Sequence, residues 1–137
     1  MNFEGYLIKS VKSGEEFPDE LIAKESYKST PLQRTEIKAY RDSNNLLRRI
    51  TSPNSKTKIE FSTYELSLAQ LKEINDFLRG AYSNSLQRKL DITYWDDELL
   101  SYRNMTAYIP DITYPVKYIT REGDIRYSPI TFTFIEY

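Results

Sequence analysis

The sequence predicts a mainly β protein of the α+β class, an antiparallel β-sandwich or barrel flanked by one amphipathic helix over residues 68–79. Three observations predict it. Residues 86–95 (LQRKLDITYW) and the closing ITFTFIE alternate apolar with polar side chains, the period of a strand with one buried face. Asp, Asn, Ser, Gly and Pro punctuate the chain at short intervals, as hairpins require. Only residues 66–80, LSLAQLKEINDFLRG, have a helical period.

At the N-terminus, FEGYLIK (3–9) is expected to be a short strand that Gly5 weakens or bulges. SVKSGEEFPDE (10–20) is polar, with Gly and Pro, and reads as a loop. LIAKESYKS (21–29) fits a strand or an irregular segment, and Pro31 breaks the chain. LQRTEIKAY (32–40) and LLRRIT (46–51) flank RDSNN, whose residues tolerate turn geometry, so a hairpin is expected. It is polar on both faces, with Glu36, Lys38, Arg41, Arg48 and Arg49 in or near it. A second turn, SPNS (52–55), leads into KIEFSTYEL, and the three strands are expected to form a meander.

The helix follows. Ser67 is a good N-cap and Gln70, three residues on, completes a capping box. Leu66 and Leu71 suit a hydrophobic staple. Leu68, Leu71, Ile74 and Leu78 form a stripe that Phe77 broadens, while Lys72, Glu73, Asn75 and Asp76 take the other side. Arg79 in the last turn suits the helix dipole, and Gly80 suits a left-handed C′ position. One stripe means one buried face, so the helix covers a sheet or the end of a barrel.

AYSNS (81–85) then reads as a linker. In residues 86–95, Leu86, Leu90, Ile92 and Tyr94 share one face, and Gln87, Lys89, Asp91 and Thr93 the other. Asp96 and Asp97 turn the chain into a return strand, 99–109. A strand at 114–120 contains Pro115 and is placed at an edge or a strand start. REGD (121–124) turns into a last strand, 125–136, with Ile130, Phe132 and Phe134 on one side. Neither a repeat nor a dividing linker is visible, so residues 1–137 are read as one domain.

Charge and composition narrow the function. Nineteen Lys and Arg against 20 Asp and Glu, a formal net charge of −1, give no long-range field to gather nucleic acid or an anionic membrane. Without Cys or His there is no disulfide, no Cys/His zinc site and no Cys- or Ser–His-based mechanism. No apolar run has membrane-spanning length, and MNFEGYLIKSVKSGEEF is not an export signal.

The carboxylate groups Glu15–Glu16, Asp19–Glu20 and Asp96–Asp97–Glu98 suit a hairpin turn and solvated loops better than a metal or acid–base site. Tyr94, Trp95, Tyr102 and Tyr108 form an aromatic set for stacking bases or sugars, or for cross-strand packing. Trp95 falls opposite Leu90 and Ile92, which places it exposed at a hairpin end, suited to a protein contact. Arg48 and Arg49, with Arg41 and Lys38, suit phosphate, or a solvated surface with Glu36 and Asp42, or a neighbouring subunit across which the ribbon lies. The last fits a ribbon polar on both faces best. Lys38, Arg41, Arg48, Arg49, Trp95 and Tyr102 are therefore the candidate subunit interface. No catalytic or metal residue and no cofactor is expected.

From residue 32 onward the order of elements resembles small tail structural proteins of phages and prophages of Gram-positive bacteria. The likeness rests on the polar hairpin, the helix ELSLAQLKEINDFL, the strand–turn–strand LDITYWDDELLSYRNMTAYIPDI, and the closing ITFTFIEY. It implies a tail-tube-like fold repeated in rings, most often hexamers. Arg41, Arg48 and Arg49 would lie in an intersubunit hairpin, residues 32–55 projecting, and 10–31 would be a loop or arm that orders on assembly. Partners would be copies of the chain and neighbouring tail proteins, with DNA only as passing cargo and no membrane. The place would be the virion tail, assembled in the host cytoplasm. The competing function is a small β-rich module binding single-stranded nucleic acid or glycan on its Tyr/Trp strands. An enzyme using carboxylates or Tyr ranks third.

Overall fold

Alternating side chains on four neighbouring strands point to one side, and this decides the layout. The computed structural model describes residues 3–33, 36–51 and 56–137, with the backbone alone for 36–38, 50 and 51. In chain order its elements are β1 (Ile8–Ser10), β2 (Lys28–Gln33), β3 (Glu36–Arg41), β4 (Leu47–Thr51), β5 (Lys56–Ser62), α1 (Leu68–Ala81), β6 (Tyr82–Asn84), β7 (Lys89–Asp96), β8 (Ser101–Tyr108), β9 (Val116–Ile119), β10 (Ile125–Tyr127) and β11 (Thr131–Glu136). Two single 3-10 turns, Asp19–Leu21 and Lys24–Ser26, lie between β1 and β2. Seven strands form one antiparallel sheet in the order β1-β7-β8-β11-β5-β2, with β6 also on β7. The pairs β3–β4 and β9–β10 are separate two-stranded sheets. The expected class, mainly β and antiparallel with one helix, is the observed one.

The inner face holds Ile59 and Phe61 of β5, Leu90, Ile92 and Tyr94 of β7, Met105 and Ala107 of β8, and Phe132 and Phe134 of β11. All are buried. The outer face is polar: Thr93 donates to Asn104 at 2.6 Å, Ser62 and Thr131 share a hydrogen bond at 3.0 Å, and Lys58 lies 3.6 Å from Glu60. The sheet also curls. Tyr94 on β7 and Thr57 on β5 are separated by β8 and β11, yet their hydroxyls meet at 3.1 Å. Ser29 of β2 likewise reaches Asp97 just beyond β7.

The helix closes the hollow of this curl. Its capping box is present: Ser67 Oγ accepts from the Gln70 amide, and Gln70 Oε1 accepts from the Ser67 amide. Leu71, Ile74, Phe77, Leu78 and Ala81 are buried, as is Leu66 ahead of the cap. Leu68 is exposed, and its amide donates to Asp124 in the turn between β9 and β10. Gly80 is not a left-handed terminator. The helix runs through it to Ala81, and Tyr82 leaves in an extended conformation straight into β6. What was expected as a linker, 81–85, is therefore largely strand.

Several boundaries moved for identifiable reasons. Residues 85–88 form a turn with Arg88 at φ 50°, so the alternation starts at Lys89 and Leu86 is solvent-exposed. The return strand starts only at Ser101, after a turn with Leu100 at φ 53°. The last strand is two strands: β10 pairs with β9, and Pro129, which lacks a donor, precedes β11 on the main sheet. The three-stranded meander does not form. β5 pairs with β2 and β11, not with β4. The expected turn at 52–55 lies outside the described residues.

Residues 10–31 are not a free arm. Phe17, Leu21 and Ile22 are buried in the core cluster. Phe17 packs edge-on against Phe61 and Phe77, both at 5.2 Å, and against Phe132 at 6.1 Å, so it wedges between helix and sheet. Its amide bonds to the Ile8 carbonyl. Phe17 alone between two acidic pairs, with Leu21 and Ile22 four and five residues on, hides this role in the sequence. Phe17→Ala should cost about 3–5 kcal/mol of stability. Chemical denaturation followed by Trp95 fluorescence measures this, and a free arm would show almost no change.

Candidate assembly surface

β2 and β3 follow one another in the chain, as do β4 and β5, and the register shifts between Thr30 and Gln33 and again between Glu36 and Lys38, where the two pairings adjoin. Paired positions have the same sum at the base (28 with 60) and at the tip (40 with 48). The β2–β5 pair is thus the base of a ribbon seated in the main sheet, and β3–β4 is its outer part, hydrogen-bonded to no other strand among the described residues.

Asp42 builds the tip. Its Oδ1 accepts from the amides of Asn44 at 2.9 Å and Leu46 at 3.1 Å, and its Oδ2 accepts from Arg48 Nε at 2.9 Å. The Leu46 amide, followed by Arg48 and Asn44, holds this carboxyl below the usual range against slight desolvation. Asn45 takes the left-handed conformation that Asn tolerates. Arg41 donates to the Asn45 carbonyl at 3.1 Å, and Arg49 pairs across from Ala39. Lys38 is on β3 opposite Ile50, with its side chain outside the described set. Tyr40, Leu46 and Leu47 are about half exposed. These apolar residues were not singled out in the sequence, though a Leu-Leu pair immediately after a polar turn was the available signal.

The six candidate residues therefore divide. Four share the ribbon, while Trp95 and Tyr102 face each other across β7 and β8. Trp95 is not exposed: it is 7% accessible. Phe3 covers it edge-on at 5.1 Å, and Tyr102 lies edge-on at 5.1 Å. Tyr102 also stacks on Tyr6 at 4.5 Å, donates to the Tyr6 carbonyl and accepts from the Glu4 amide. The Trp95 amide bonds to the Leu7 carbonyl. These two residues tie down the N-terminal segment, because the chain ahead of β1 runs over their face of the hairpin.

The family model described as "Family of unknown function (DUF6711)" matches residues 1–137. The chain belongs to this family. A search of curated proteins finds no match to this DUF6711 chain.

Its carboxylates do not converge on one point. Asp96 is fully buried, accepts from the amides of Glu98 and Leu99 at 2.8 and 3.1 Å, and meets Arg103 at 3.2 Å. It is the carboxylate that shapes the loop after β7. Asp97 accepts from Ser29 instead. Among the described residues no group of three carboxylates could hold a metal, and no helix is long and apolar enough to cross a membrane. An open depression of about 430 Å³ involves Asp91, Asn104, Thr106 and Glu136 of the DUF6711 sheet. Its polar groups already have partners: Asp91 with Thr106, Asn104 with Thr93, Glu136 with the Thr57 amide.

Among the described residues two buried side-chain atoms lack a hydrogen bond, Asp19 Oδ1 and the Tyr27 hydroxyl. Tyr27 stacks on Phe61 at 5.8 Å, and its hydroxyl is buried without a hydrogen bond. Burial, then the nearby Asp97, Asp19 and Tyr94, pushes its pKa well above the ordinary phenol value. The folded state thus favours the neutral phenol. The associated stability is fully present below the unfolded value of about 10 and is lost as pH rises above it. Tyr27→Phe should leave stability at pH 7 unchanged or raise it by about 1 kcal/mol. It should also flatten the loss above pH ~10 in denaturation curves. Separately, Phe3→Ala should shift the emission of Trp95, the sole Trp, to longer wavelength. Tyr102→Phe should cost about 0.5–1.5 kcal/mol by chemical denaturation.

Proposed function

We propose that the protein is a virion structural component of a phage tail that works by assembling with copies of itself. The observation that carries this reading is the outer ribbon, which forms its own two-stranded sheet and presents Tyr40, Leu46 and Leu47 to solvent. A lone hairpin is marginal in water, and Leu46 and Leu47 at its tip face solvent. A neighbouring subunit supplies what the body does not. The cations Arg41, Arg48 and Arg49 on the same ribbon suit the setting of register and partner.

The order of elements from residue 32 onward, which resembles small tail proteins, supports the tail setting. A ring, with the hexamer as the favoured copy number, follows from that resemblance. Stacking of nucleic acid or glycan on Trp95 and Tyr102 is less well supported, because both rings pack against their own chain.

Mass photometry and negative-stain microscopy across a concentration series test the reading. Discrete multimers with ring or tube outlines are the expected result. A monodisperse monomer at the highest concentration, even with the purified neighbouring tail proteins added, would remove it.

A further inference from the structure

The self-assembly reading leaves open what receives the ribbon. A second exposed apolar and charged surface lies at the closed end of the β7–β8 hairpin. Leu99 and Leu100 are 58% and 48% accessible. Leu100 is held at φ 53°, a conformation that costs a non-glycine residue on the order of 1 kcal/mol or more. Phe3, 53% accessible, sits on Trp95 at the same hairpin end. Asp97 and Glu98 belong to the loop, while the adjoining Asp96 is buried against Arg103.

The ribbon tip has the opposite balance. Along the ribbon Lys38, Arg41, Arg48 and Arg49 outnumber Glu36 and Asp42, and its tip exposes Tyr40, Leu46 and Leu47. Two Leu beside an excess of cations face, in composition, two Leu beside an excess of carboxylates. Two copies of the tip would repel each other, as would two copies of the loop. The tip and the loop are attractive in charge and matched in apolar content, so the charges favour unlike surfaces meeting.

We propose that the tip of the β3–β4 ribbon docks on the β7–β8 loop, residues 97–100, of a second copy of this chain. The proposal rests on the self-assembly reading and adds the receiving surface. The contact joins two different patches, so it is head-to-tail. Such contacts close into rings or run on as filaments, whereas a contact of one patch with its own copy stops at a dimer.

Two variants separate the halves of this contact. L46S/L47S removes the apolar tip, and L99S/L100G removes the apolar loop while relieving the left-handed Leu100. All four side chains are exposed, so unchanged far-ultraviolet circular dichroism is the control. By mass photometry, each variant alone should associate at least tenfold more weakly than the wild type. An equimolar mixture should form dimers and nothing larger, since each partner keeps one working half. A variant that assembles like the wild type overturns the docking. So does a mixture that stays monomeric or grows beyond dimers. Wild-type multimers alongside any of these results leave the self-assembly reading standing, whereas a wild type that stays monomeric at every concentration removes both.

Discussion

A sheet with one apolar face has to close that face, and in this protein the closure depends on curl. Tyr94 meets Thr57 across the interior, so strands far apart in the hydrogen-bonded order become neighbours in space. The hollow this creates is too large for one helix stripe. Phe17, Leu21 and Ile22 from the stretch before β2 fill the remainder. Burying side chains of this kind contributes about 1.5–3 kcal/mol each, against a net stability of about 5–15 kcal/mol for a typical domain. The N-terminal stretch is thus part of the fold's foundation. The same curl brings Ser29 to Asp97, which sets the loop after β7 beside the ribbon's base.

Where a strong local signal coincides with a buried face, the sequence shows the structure clearly. Ser67 and Gln70 announce the helix start, and the stripe from Leu71 to Leu78 lies where periodicity places it. The same holds for Leu90, Ile92 and Tyr94, and for Phe132 and Phe134. Signals failed where a long-range contact overrode a local preference. Gly80 could end a helix, but the chain passes directly into β6 and no reversal is needed. Phe17 looks isolated among Glu15, Glu16 and Asp19, and only its rings' neighbours in space reveal its role. Trp95 follows strand parity to the face away from Ile92, yet residues ahead of β1 cover that face.

The candidate surface was legible in part for the same reason. Charges on both faces of residues 36–49 mark a ribbon with no core side, and the structure gives that ribbon its own sheet. Its apolar members were overlooked because Leu46 and Leu47 resemble ordinary strand residues. Their exposure follows from tertiary position, which no window of sequence contains. Asp42 illustrates the opposite case, since its bonds to residues two, four and six positions away are local and follow from ordinary turn chemistry.

The pairing at the base of the ribbon has a mechanical meaning. Strand β5, at the base, is laced on one side to β2 and on the other to β11, in rungs that run across the strands. A pull applied at the far end and directed along the strands would strain those rungs side by side, not peel them open in turn. A load along β5 is therefore shared by the rungs on both of its sides.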